Sequence, residues 1–256
     1  MRHARTLALG LAVLMVASAA QADWDEGDGH KMHFPQLPDP EGWDVAFIDT
    51  SVQRKFELAD DFRCTSTGPI EDIHFWISFQ GEDWSGIPQD VGPIGVGIWS
   101  NMPADPAGPA FSMPKDLLWS DVFGPGEFSF RLDGEGPQGF YNPESGQFVK
   151  PDHNLYYQIN ITRIPDPYPQ REGEIYWLSL TLDMELGMPG WKTSIEQWED
   201  DAVWRSRDAA GADWQPLTDP ETGESLDLAF VITPEPATLA LLGLGACGLV
   251  ARRRRK

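Results

Sequence analysis

Short stretches of alternating apolar and polar side chains recur along the central part of the chain. They are IEDIHFWISFQ, PIGVGIWS, EFSFRL, LYYQINITRI, EIYWLSLTLD and SLDLAFVI. Strict alternation is typical of strands that bury one face and leave the other toward solvent. Because Gly and Pro separate the stretches and no helical period lies between them, the pattern predicts an all-β chain. We expect a single antiparallel β-sandwich that is jelly-roll-like.

The first 22 residues have the features of a secretory signal peptide. Two arginines precede an apolar run over residues 7–17, and Ala20-Gln21-Ala22 fits the small-x-small pattern that signal peptidase cleaves. We therefore assign residues 1–22 to a signal peptide and expect export. An uncleaved anchor is the alternative, although the apolar run is short for a membrane span.

The remaining chain divides into three parts. Residues 23–50 are rich in Gly, Pro and Asp, which favour turns, and they are predicted to be an irregular acidic lead-in segment. Residues 51–232 are assigned to the sandwich domain and residues 233–256 to a separate C-terminal signal. Long loops are expected at 81–92, 100–116, 133–152 and 184–202.

Charge and composition exclude two classes of protein. The formal net charge is −21, and all of the 40 acidic residues except Glu235 lie between residues 23 and 232. Such a domain repels phosphate backbones, so no nucleic-acid partner is expected. The 11 Trp residues all lie in the same part, which supplies too much apolar surface for a disordered chain. Cys64 has no partner for an intradomain disulfide, since Cys247 lies in the apolar tail.

The C-terminal signal has three parts in a fixed order. Pro234, Glu235 and Pro236 end the last predicted strand, because proline lacks the N–H that a strand or helix needs. Residues 237–251 are apolar or small and are predicted to form one short transmembrane helix, about 22 Å long against a hydrocarbon core of about 30 Å. A basic cytoplasmic end follows, made of Arg252, Arg253, Arg254, Arg255 and Lys256. So short a span is suited to a temporary tether.

This tail resembles the PEP-CTERM sorting signal of Gram-negative bacteria. The resemblance implies that exosortase, a membrane-embedded peptidase, is the partner during sorting, and that the inner membrane is contacted only transiently through the helix. It also implies a destination at the cell surface or in the extracellular matrix. The stretch FELADDFRCTSTGPIEDIHFWISF is similar to the "ADDF" strand of uncharacterised β-rich domains in PEP-CTERM proteins.

Three tryptophans are candidate glycan-stacking residues. Alternation places Trp76, Trp99 and Trp177 on the faces opposite the aliphatic rows of their strands. Exposed aromatic rings on a sheet face would stack against sugar rings. The alternative is that a loop or the lead-in segment covers that face and buries all three.

Clustered acids are weak candidates for a structural Ca²⁺ site. The candidates are Asp60, Asp61, Glu199, Asp200 and Asp201. Ca²⁺ takes six to eight oxygen ligands, often from carboxylates on turns. Solvated surface charge is the favoured interpretation, because adjacent acids arise readily in so acidic a chain and neighbours on a strand point to opposite faces. No transition-metal motif occurs, and no cofactor is expected.

The sequence contains no nucleophile elbow, phosphate-binding loop or dinucleotide fingerprint, so no catalytic residue is nominated. The leading hypothesis is a non-enzymatic surface or matrix protein for which exopolysaccharide is a candidate ligand. One alternative is a secreted glycan-active hydrolase that uses a pair of carboxylates. A second alternative is a purely structural surface spacer.

Overall fold

The computed structural model describes residues 23–81, 91–184, 187–209 and 211–234. The regular structure in these ranges is β-strand, and none of the described segments is a helix that could span a membrane. The strands, in chain order, are β1 (Trp43–Ala46), β2 (Ile48–Asp49), β3 (Arg54–Arg63), β4 (Gly68–Pro69), β5 (Asp72–Phe79), β6 (Val91–Met102), β7 (Met113–Phe123), β8 (Ser129–Tyr141), β9 (Phe148–Ile161), β10 (Pro169–Gln170), β11 (Ile175–Met184), β12 (Pro189–Lys192), β13 (Val203–Ser206), β14 (Gln215–Pro216) and β15 (Phe230–Thr233).

The first sheet has six strands in the spatial order β12-β1-β8-β9-β5-β15. β12 pairs with β5 as well as with β1, so five of the six strands form a closed ring of pairings. β1 and β8 are parallel, whereas the other pairs described in this sheet are antiparallel. The closed ring leaves β15 at the side of this sheet, next to β5.

The second sheet follows the order β14-β13-β3-β11-β6-β7, and β2 also pairs with β3. All of its described pairs are antiparallel. β4 and β10 form a separate antiparallel two-stranded ribbon. The predicted all-β, antiparallel fold is therefore confirmed.

The main core lies between the two large sheets. Alternation along β11 turns Leu178 and Leu180 inward, where both are fully buried. Phe62 of the second sheet packs edge-on against Phe230 of the first, with ring centroids 5.7 Å apart. Because apolar burial is worth roughly 25 cal/mol per Å², this aromatic-rich interior is the main source of stability for a domain without a disulfide.

A second, smaller core covers the outer face of the second sheet. It contains Ala59, Trp177, Val203 and Trp214, all of them buried. Val203 belongs to β13 and Trp214 directly precedes β14, and both pack with Ala59 of β3 and Trp177 of β11. Both faces of β11 are thus covered, although its alternating sequence predicted one solvated face.

The structure corrects the prediction that residues 23–50 form an irregular lead-in segment. Residues 23–50 contribute β1 and β2, and both Trp24 and Met32 are buried in the main core. These strands have only four and two residues, too few for a two-residue period to stand out from the surrounding Gly and Pro. The expected loop over 133–152 is also shorter, because β8 continues to residue 141 and β9 begins at residue 148.

Candidate functional site

An open groove of about 910 Å³ lies where the β4–β10 ribbon meets one end of the second sheet. Its walls include Thr67, Ser100, Asn101, Leu118 and Tyr168. The walls therefore combine hydroxyl and amide groups with one aromatic and one aliphatic side chain. This mixture offers both hydrogen bonds and apolar contact to a bound molecule.

The floor of the groove is built around two tyrosines. Tyr168 and Tyr176 meet edge to face with ring centroids 5.9 Å apart. The Tyr176 hydroxyl accepts a hydrogen bond from the backbone N–H of Arg171 at 3.0 Å, which fixes the chain after β10. Gln170 in the same wall is fully buried, and among the described residues neither polar atom of its side-chain amide has a hydrogen-bond partner. An unpaired buried amide is costly, so it is a group that gains from a ligand or a bound water.

The predicted glycan-stacking face is not formed by Trp76 and Trp177, which are only 2% and 0% exposed. The Trp76 indole N–H donates to Asp133 Oδ2 at 2.7 Å, and its ring meets Trp24 edge-on. The Trp177 N–H donates to Asn101 Oδ1 at 2.9 Å. For these two residues the structure matches the alternative stated from the sequence, that other segments cover this face, because alternation identifies the second face of a strand but not the segment that covers it.

Trp99, the third predicted stacking residue, is half-buried, and a cation covers its ring. The Arg205 guanidinium lies 5.0 Å from the Trp99 ring centroid and 4.3 Å from that of Trp214. Glu57 neutralises this arginine, with Oε2 at 2.6 Å from the guanidinium. The aromatic face that a sugar would need is therefore already used in a cation–π contact.

The acidic residues nominated for Ca²⁺ lie on β3 and in the segment before β13. Asp60 points inward, where its Oδ2 accepts hydrogen bonds from Gln36 Nε2 at 2.8 Å and from the Leu228 N–H at 2.6 Å. Asp61 points to the other face and is 1% exposed. Among the described residues, neither Asp61 oxygen has a hydrogen-bond partner. The expectation that both carboxylates are solvated surface charge is wrong, because chain segments cover both faces of β3.

Asp227 is a buried member of this cluster that sequence reasoning missed. Its Oδ2 accepts a hydrogen bond from the Trp198 N–H at 2.6 Å, while its Oδ1 has no partner among the described residues. Asp200, half-buried nearby, accepts a hydrogen bond from the Ser112 hydroxyl. Glu199 is exposed and Asp201 half-buried. Only the crossing of distant segments brings Asp227 beside Asp61, so no local motif could reveal it.

The carboxylates of this cluster have strongly altered pKa values. Burial, reinforced by the charges of Asp227, Asp200 and Glu199, raises the pKa of Asp61 to about 9. Burial also raises the pKa of Asp227 to about 7, with Asp201 and Asp200 adding to the shift. Within the described ranges, no three His, Cys, Asp or Glu side chains are already arranged to hold a metal ion.

Residues 32–233 match the model of a family described as a domain of unknown function (DUF7901). The chain belongs to this family. Residues 233–255 match the PEP-CTERM protein-sorting motif. No curated protein and no solved structure matches the chain.

The PEP-CTERM match confirms the predicted sorting signal behind the DUF7901 domain. A chain with this motif is an exported cell-surface protein that exosortase sorts. Pro234 follows β15 and is half-buried. The other predicted signals lie outside the described residues: the signal peptide 1–22, Glu235, Pro236, the helix over 237–251 and the basic residues 252–256.

The first sheet of the DUF7901 domain contains a fully buried ionic network, which the sequence analysis did not predict. Asp44 Oδ2 lies 3.1 Å from His153 Nε2 and 3.2 Å from Lys192 Nζ, and all three side chains are fully buried. Burial alone would raise the pKa of Asp44, but the Lys192 charge and the His153 hydrogen bond hold it below its usual value. Burial would lower the pKa of His153, yet the same carboxylate raises it. Because solvent does not reach this network, its role is structural.

Proposed function

We propose that the DUF7901 domain is a non-enzymatic surface or matrix module that binds extracellular polysaccharide in the groove beside the β4–β10 ribbon. The observation that carries this proposal is the groove itself, which combines a half-exposed tyrosine with neutral hydrogen-bonding groups. The exported location supports it, since a surface protein sorted by exosortase meets polysaccharide outside the cell.

The chemistry of the groove suits a sugar chain. Tyr168 is half-buried and offers part of its ring and its hydroxyl, while Leu118 adds exposed apolar surface. Ser100 and Asn101 supply hydroxyl and amide groups beside them. Sugars present alternating apolar faces and hydroxyls, so they match a wall of aromatic and neutral polar groups. The negative net charge of the chain favours neutral glycans, or anionic ones held through cations.

The distribution of acids argues against hydrolysis. Hydrolysis of a glycosidic bond ordinarily needs two carboxyl groups flanking it. Glu174 is the one acidic residue among the described residues that line the groove. The carboxyl groups with the most altered pKa values, Asp61 and Asp227, are buried and do not line the groove. We therefore retain the non-enzymatic interpretation.

Before sorting, we propose that the apolar segment 237–251 tethers the chain to the inner membrane with residues 252–256 on the cytoplasmic side. Exosortase then removes or transfers this tail, and the domain reaches the surface or matrix. The hydrophobic segment and the basic end are the sequence features that support this order of events. No nucleic-acid partner is proposed, because the chain is strongly acidic.

The test is retention of the purified full-length chain on a panel of immobilised bacterial polysaccharides. Tyr168→Ala removes the aromatic ring from the wall of the groove, and Arg171→Ala removes the positive charge from the same wall. Phe148→Ala and Arg54→Ala are matched controls, because they remove an exposed aromatic ring and an exposed cation elsewhere. We expect Tyr168→Ala to weaken retention roughly tenfold, the value of one aromatic contact of about 1.4 kcal/mol.

Three outcomes would contradict the proposal. Equal retention of Tyr168→Ala and Phe148→Ala would remove the groove as the binding site. Failure to retain any polysaccharide would favour a structural spacer. Release of shortened sugars during the incubation would favour a hydrolase.

A further inference from the structure

Lys192 carries a buried amine that lies directly against a carboxyl group. Its side chain and that of Asp44 are both fully buried, and Asp44 Oδ2 lies 3.2 Å from Lys192 Nζ. The two residues are directly opposite each other in the antiparallel pairing of β1 with β12. The backbone therefore holds the two side chains together on neighbouring strands, although they are 148 positions apart in the chain.

His153 contacts the same carboxyl group and is also fully buried. Its Nε2 lies 3.1 Å from Asp44 Oδ2, and its Nδ1 lies 2.9 Å from Asp152 Oδ2. The contact with Asp152 fixes the orientation of the imidazole ring, so that Nε2 faces Asp44. Asp44 Oδ1 has no hydrogen-bond partner among the described residues. One oxygen of Asp44 is thus contacted by an amine and by a group that can carry a proton, while the other is free to remain a carbonyl oxygen.

The surroundings of this network favour uncharged groups over ions. The Tyr156 ring faces Lys192 Nζ, with 5.4 Å from the nitrogen to the ring centroid. The Phe140 ring meets the His153 ring edge-on, with centroids 6.4 Å apart. Removing an ion pair from water carries a large desolvation cost, which a neutral group avoids. Burial lowers the pKa of Lys192, although the Asp44 charge opposes this shift, so the neutral amine, which is the nucleophilic form, is easier to reach.

We propose that Lys192 and Asp44 react after folding to form an intramolecular amide (isopeptide) bond, with His153 as the proton carrier. One proton first moves from the Lys192 ammonium to Asp44 Oδ2, which leaves a neutral amine beside a neutral acid. Nζ then attacks Asp44 Cγ, and the Cγ–Oδ2 bond breaks. His153 Nε2 takes a second proton from the nitrogen and delivers it to Oδ2, which leaves as water.

The reaction needs nothing beyond these three side chains. One amine and one carboxylic acid give one amide and one water molecule, with no oxidant or other reactant. The pair is already held at the separation of about 3–3.5 Å from which intramolecular reactions are fast. The product replaces two buried charges with a neutral group. It also cross-links distant parts of a chain whose Cys64 is a free thiol, and such a cross-link restricts the unfolded state.

The experiment is mass spectrometry of the unfolded full-length chain after digestion with trypsin, which cleaves after Lys and Arg. An amide on Lys192 blocks cleavage at that position, so residues 172–205 stay together. They also remain attached to residues 32–54, the peptide that contains Asp44. We expect this branched peptide, with a mass lower by one water molecule than the sum of its two parts.

Lys55 and Asp183 are the matched control within the same sample. Their Nζ and Oδ1 atoms lie 3.0 Å apart, but both side chains are partly exposed, and we expect no bond between them. Lys192→Arg keeps the positive charge without the amine and should abolish the branched peptide. His153→Gln keeps both reacting groups and should slow bond formation by at least about a hundredfold.

The wild-type digest decides whether the bond exists, whether or not the variants fold. Recovery of residues 172–192 and 193–205 as separate peptides, without the branched peptide, would overturn the inference. An equal amount of linkage between Lys55 and Asp183 would overturn it as well, because it would indicate condensation during sample handling. A branched peptide that forms at the wild-type rate in His153→Gln would refute the role of His153 as proton carrier.

Discussion

Replacing Asp61 with Asn should stabilise the protein at neutral pH. Burial raises the pKa of this carboxyl group from 3.8 to about 9. Below pH 3.8 the group is protonated in both the folded and the unfolded chain. Between pH 3.8 and about 9 only the unfolded chain releases the proton, so the free energy of unfolding decreases as the pH rises. At pH 7 this loss is about 4 kcal/mol, at about 1.4 kcal/mol per pH unit.

Asparagine is neutral in both states, so Asp61→Asn removes this loss. In urea unfolding with EDTA at pH 7, we expect the free energy of unfolding of the variant to exceed that of wild type by up to about 4 kcal/mol. At pH 5 we expect the difference to be about 2 kcal/mol. If Asp61→Asn is less stable than wild type in EDTA at pH 7, or if the gap does not shrink at pH 5, the burial argument fails.

Three further changes test other parts of the fold. Asp44→Asn leaves the buried Lys192 ammonium without its carboxylate and should cost about 3–5 kcal/mol in urea unfolding. Burial lowers the pKa of His74 to about 4, so only the unfolded chain gains a proton between pH 6.5 and 4. The free energy of unfolding should therefore fall by up to about 3 kcal/mol as the pH drops through this window. His74→Gln should remove this pH dependence, and an unchanged pH dependence in the variant would show that His74 is not its source. Gly136→Ala places a methyl group against the Pro40 carbonyl oxygen and should lower the free energy of unfolding by about 1–3 kcal/mol; an unchanged urea midpoint would contradict that packing.

The hydrophobic pattern predicted the class of the fold because the alternation of apolar and polar residues within each strand indicates which of its faces is buried. The row that includes Ile73, Phe75 and Ile77 lies in the main core as the alternation indicates. The pattern does not reveal partners, however. It could not show that β1 pairs in parallel with β8 or that β12 pairs with two strands. These pairings depend on which distant segments meet.

The same limit applies to the candidate sites. Trp177 faces away from the main core as predicted, but Val203 of β13 and Trp214, which precedes β14, pack against it and bury it. Asp61 was identified by residue type, yet its burial depends on segments that approach from other parts of the chain. The groove escaped prediction because its walls come from β6, β7, β10 and β11, and because Tyr168 lies outside any periodic stretch.

Hydrogen exchange of the full-length chain, with and without a polysaccharide that it retains, tests the proposed function most directly. We predict slower exchange of backbone amides in residues 67–69, 100–101 and 168–176, and unchanged exchange in the hairpin of β8 and β9. Protection that appears elsewhere, or no protection at a saturating concentration, would contradict binding in the groove.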